Sequence, residues 1–86
     1  MNVEYQRRLN ERKFANWERL SNGGRKYWLE VVGRHGWKAK YVKEVSDQEK
    51  TLKFYQEIYN EYGILVEIHE KFPEDRGHKK VEGEHQ

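Results

Sequence analysis

The chain is predicted to be an α+β protein, with one N-terminal helix packed on a four-stranded antiparallel β-meander and a polar C-terminal tail. Three observations predict it. Residues 3 to 20 contain neither Gly nor Pro. Residues 25 to 73 hold four stretches rich in β-branched and aromatic side chains, separated by short turns. Beyond Pro73 the apolar pattern stops.

The helix comes first. VEYQRRLNERKFANWERL (3–20) is rich in Arg, Lys, Glu and Leu, which favour helix. On a helical wheel Tyr5, Leu9, Phe14, Trp17 and Leu20 fall in one broad half, with Glu4, Arg8, Glu11, Ala15 and Glu18 opposite. SNGG (21–24) supplies a glycine that can take the left-handed conformation closing a helix. The strands then span about 26–33, 37–45, 52–60 and 64–72, joined by RHG (34–36), SDQEKT (46–51) and EYG (61–63). Three-residue loops ending in Gly suit a type I turn closed by a bulge glycine.

These turns fix registers. The first puts Val31 opposite Ala39, Leu29 opposite Tyr41, Glu30 opposite Lys40 and Lys26 opposite Glu44. The second puts Lys40 opposite Glu57, Glu44 opposite Lys53 and Val42 opposite Tyr55. Opposite charges meet without adjustment, each pair contributing about 0.2–1 kcal/mol. The third turn puts Ile58 opposite Val66 and Tyr55 opposite His69, but also brings together Glu57 with Glu67 and Lys53 with Lys71. A register two residues shorter competes with it.

Two faces follow from the alternation. Leu29, Val31, Trp37, Ala39, Tyr41, Phe54, Ile58, Ile64, Val66 and Ile68 form the one expected beneath the helix. Trp28, Lys38, Lys40, Val42, Tyr55, Tyr59, Leu65 and His69 mark the other, a candidate binding face. One helix cannot cover both.

Composition bounds the chemistry. An 86-residue chain forms one domain, here residues 1–81 with a flexible tail at 82–86. It buries only about 60–65% of its unfolded surface. The absence of cysteine excludes disulfides, thiolate metal sites and a thiol nucleophile. No segment approaches the ~18 apolar residues of a membrane span, so a cytoplasmic protein is expected. The net charge of +2 comes from interleaved bases and acids, a weak signal for nucleic acid. Glu57, Glu67 and Glu70 read as cross-strand charge balance rather than a metal site, and no cofactor is expected.

Two chemistries remain as alternatives. The aromatics and lysines of the second face could stack on single-stranded RNA, although a phosphate would compete with the glutamates already facing those lysines. His69 and His78 are candidate proton-transfer groups for metal-independent RNA cleavage. An apolar patch rimmed by charge more often marks a protein contact. The leading expectation is therefore a small non-catalytic binding protein whose partner is another protein or a second copy of itself.

YQEIYNEYGILVEIHEKFPEDRGHKK (55–80) resembles the closing hairpin of TumE-type toxins. In that family a tyrosine-rich strand, an acidic-glycine turn and a strand ending in an aromatic lead into a segment bearing proline and histidine. The resemblance implies the toxin-like member of a prokaryotic toxin–antitoxin pair, held by its partner, with His78 in the characteristic segment. It implies no catalytic mechanism.

Overall fold

The computed structural model describes residues 2–81; the tail expected at 82–86 lies outside them. In chain order the elements are α1 (Val3–Lys13), β1 (Asn16–Arg19), β2 (Arg25–Val32), β3 (Lys38–Val45), β4 (Thr51–Tyr59), β5 (Leu65–Phe72) and β6 (His78–Lys80), with one 3₁₀ turn at Arg34–Gly36. The strands form a single sheet in the order β1-β2-β3-β4-β5-β6, every neighbouring pair antiparallel. The fold is α+β as expected, but the sheet has six strands rather than four. The expected four are β2 to β5, and a short strand is added at each edge.

The added β1 takes its residues from the expected helix. α1 starts at Asn2, whose side chain accepts the Tyr5 amide at 3.2 Å. It ends at Phe14, which turns extended and donates its amide to the Asn10 carbonyl at 2.8 Å. Phe14 is then fully buried, its ring 5.9 Å from that of Tyr27. Asn16–Arg19 pairs with Arg25–Trp28, and the Arg25 guanidinium lies 3.6 Å from the Trp17 ring centre. A helix continued to Leu20 would forgo the ladder, the stacking and the burial together.

Phe14, Tyr27 and Val45 form a small core against Leu29, Tyr41 and Phe54, at one end of the face that α1 covers. The helix is otherwise held by polar contacts, since Tyr5 and Leu9 remain 58% and 38% exposed. Glu49, in the β3–β4 turn with a positive φ of 63°, is the centre of these contacts. Its buried carboxylate accepts the Tyr27 hydroxyl at 2.7 Å, the Asn10 amide at 2.9 Å and Arg7 Nε at 3.3 Å. Lys43 donates to Asn10 at 2.9 Å, and Arg25 joins Glu11 at 2.7 Å. Burial and the hydrogen bond to Glu49 push the Tyr27 hydroxyl up to about 12.

Registers from β2 to β4 are the expected ones as far as Glu44, including Lys26↔Glu44↔Lys53 and Glu30↔Lys40↔Glu57; an irregularity between Glu44 and Val45 then sets Val45 opposite Thr51, which joins β4 instead of the expected six-residue turn. The β4–β5 register is not. Tyr59 pairs with Leu65, but irregularities between Ile58 and Tyr59 and between Phe54 and Tyr55 each slip the pairing. Ile58 therefore meets Glu67, Tyr55 meets Glu70 and Gln56 meets His69, in place of Ile58 with Val66 and Tyr55 with His69. The slip has an electrostatic reason. Glu57 now faces Ile68 instead of Glu67, and Lys71 turns to the helix side, its ammonium 5.3 Å from the Tyr41 ring and 5.9 Å from the Phe54 ring.

Candidate protein-docking face

The face turned away from α1 is built by β2, β3 and β4 at a spacing of two residues. Its central row is Trp28, Val42 and Tyr55, extended by Glu70. Lys26, Glu44 and Lys53 flank it on one side; Glu30, Lys40 and Glu57 flank it on the other. Val32, Lys38, Tyr59 and Leu65 form the row beyond.

Val42 is fully buried, although no helix covers it. Its neighbours close over it. The Lys40 ammonium lies 5.2 Å from the Trp28 ring centre, and that of Lys53 lies 5.9 Å from the Tyr55 ring centre. The Tyr55 hydroxyl donates to Glu44 at 3.1 Å and that of Tyr59 to Glu57 at 2.9 Å. Burial first, then these glutamates, raise both phenols, Tyr59 to about 12 and Tyr55 further. Both are neutral donors at physiological pH and unsuited to act as nucleophiles or bases. The surface combines flat aromatic rings with fixed, balanced charges.

Of the residues assigned to this face from sequence, Trp28, Lys38, Lys40, Val42, Tyr55, Tyr59 and Leu65 share it through their pairings. His69 does not. The slip at Ile58/Tyr59 carries it to the helix side opposite Gln56 and brings Ile68 and Glu70 to the open face instead. Ile68 is thereby also removed from the surface expected beneath α1. The signal that pointed to this exchange was the facing of Glu57 with Glu67 in the unslipped register.

His69 and His78 face each other across β5 and β6, their ring centres 4.4 Å apart. Each has a carboxylate: His69 Nε2 lies 2.6 Å from Asp75 Oδ1, and His78 Nδ1 lies 3.2 Å from Glu67 Oε1. The Gly77 amide also donates to Asp75 at 3.0 Å, and Arg76 bridges Glu70 and Glu74. The hydrogen bond from His69, then that from Gly77, holds the Asp75 carboxyl below its ordinary 3.8. Two-histidine acid–base catalysis needs a ring nitrogen of each open to one substrate. Here His69 Nδ1 is buried without a partner among the described residues, and Nε2 is taken by Asp75. The pair ties β6 to β5.

Among the described residues no three His, Cys, Asp or Glu side chains are arranged to hold a metal ion, and no helix is long and apolar enough to cross a membrane. α1 also leaves the far end of its own face uncovered, where Val31, Trp37 and Ile64 are 48%, 37% and 49% exposed. Comparison of the chain with protein-family models, with curated proteins and with solved structures finds no match.

Proposed function

We propose that this is a small non-catalytic binding protein that docks a protein partner, a different chain or a second copy of its own, on the open face where Trp28 and Tyr55 flank the buried Val42. One observation carries the reading: among the described residues a single eleven-residue helix shields one end of one face, and no element covers the other face of the sheet. Trp and Tyr are the side chains that most often anchor protein contacts.

Charge separates a protein partner from RNA. Glu30, Glu44, Glu57 and Glu70 stand among Lys26, Lys38, Lys40 and Lys53. A phosphate chain needs cations free along its path, and Lys26, Lys40 and Lys53 already face glutamates. A protein surface of alternating charge fits it. The narrower form of the proposal, a toxin-like protein held by an antitoxin, is supported by the resemblance of residues 55–80.

The test is capture. Tagged wild type and a Trp28→Ala/Tyr55→Ala variant are compared by cross-linking in the producing cell. A protein cross-linked at the open face of wild type and lost from the folded variant supports the reading. Equal capture by both, or none by either, overturns it. Hot-spot anchors of this kind cost about 2 kcal/mol or more each on truncation, roughly a thirtyfold loss of affinity.

A further inference from the structure

We infer that the occupant of the open face is a second copy of the same chain, packed face to face about a twofold axis running along the Trp28–Val42–Tyr55 row. The inference rests on the docking reading above and names its partner. It comes from the signs of the flanking charges. β2 carries Lys26 and Glu30 on either side of Trp28; β3 carries Glu44 and Lys40 around Val42; β4 carries Lys53 and Glu57 around Tyr55. On all three strands the two flanking residues are opposite in sign.

An isologous contact requires a surface complementary to itself. A half turn about the central row exchanges its two sides and keeps each strand in place along it. Lys26 of one copy then meets Glu30 of the other, Glu44 meets Lys40 and Lys53 meets Glu57, and the symmetry repeats the set. The competing axis, along β3, keeps the sides and exchanges β2 with β4. It sets Lys26 against Lys53, Glu30 against Glu57, and Glu44 and Lys40 against themselves. The pattern selects one axis and rejects the other. Flanking side chains sit about 6–7 Å from the row, and two sheets stack about 10 Å apart, so the paired groups come within reach. Glu70, on the axis, meets its own copy; Arg76, 3.1 Å away, neutralises it.

The product is a two-sheet sandwich whose middle is Trp28 and Tyr55 from both copies, meeting above Val42, which each chain already buries. Rim charges contribute orientation more than affinity, and salt weakens them.

The experiment measures molecular mass by light scattering and sedimentation across concentration and salt. Wild type is expected to dimerise, more weakly at high salt. Two charge-reversed variants follow, Lys26→Glu/Lys53→Glu and Glu30→Lys/Glu57→Lys. Alone, each sets like charges against each other at four contacts and is expected to self-associate roughly tenfold to a hundredfold more weakly. Mixed, the two restore every pair and are expected to form a heterodimer. Circular dichroism of each variant checks its fold, and the wild-type measurement stands without them. A wild-type monomer up to about 1 mM, a dissociation constant weaker than that concentration, overturns the inference. So does a dimer whose folded reversed variants associate like wild type or fail to combine when mixed. If wild type is monomeric yet a different protein cross-links at Trp28 and Tyr55, the second copy is overturned while the docking reading stands; if neither is found, both fall.

Discussion

Glu49 shows how one residue can hold an element in place. It is 6% exposed, sits at a positive φ, and gathers Tyr27, Asn10 and Arg7 around one carboxylate. Removing one partner leaves the buried carboxylate a hydrogen bond short, at about 1–3 kcal/mol. Tyr27→Phe is expected to destabilise the protein by about that amount, read by urea unfolding with tryptophan fluorescence, without unpacking the ring from Phe14. Asp75 offers a second test. Its folded carboxyl lies below the ordinary 3.8, so the support it gives is complete above that value and is lost as pH falls through the depressed one. Protection of the Gly77 amide, followed by NMR, is expected to persist down to pH 3.8 and fail below it, and Asp75→Asn should remove that acid limb.

Phe14 decides where the helix becomes sheet. It caps α1 and fills the core, so Phe14→Ala is expected to cost about 3–5 kcal/mol and to loosen both α1 and β1 in hydrogen exchange. This boundary was not readable beforehand. Residues 3 to 20 have no Gly or Pro to punctuate them, and the choice of strand for Asn16–Arg19 is made by Arg25 and Trp28 across the turn. The β2–β4 registers were legible because turn length and cross-strand charge agree there. Trp28, Val42, Tyr55 and Tyr59 were placed on one face for the same reason. His69 was misplaced because a bulge reverses the alternation on which such placement depends, and only the facing of Glu57 with Glu67 hinted at it. β6 was hidden because HKK carries no strand signal; its hold on β5 comes from side chains, His78 on His69 and Glu67. Replacing His78 by Ala is expected to release residues 78–80 from the sheet while β2 to β4 keep their protection, a local change visible in NMR shifts.

The molecule measures 45 × 23 × 22 Å, and the largest fully buried side chains among the described residues, Tyr27, Phe14, Val42 and Val45, divide between two faces. With so little core, association should add visibly to stability. The melting temperature is expected to rise with protein concentration, because a partner that binds only the folded form shifts unfolding by mass action. Calorimetry at two concentrations differing about tenfold checks this; an unchanged temperature counts against self-association.

The sheet ends in strands of four residues at β1 and three at β6. A long bare border is what lets foreign strands add on one after another and grow into fibrils. Stubs this short, carrying Glu18, Arg19, Lys79 and Lys80, give such growth almost no template. A protein with this much uncovered aromatic surface can therefore resist amyloid formation, and dye-binding assays at high concentration should remain silent.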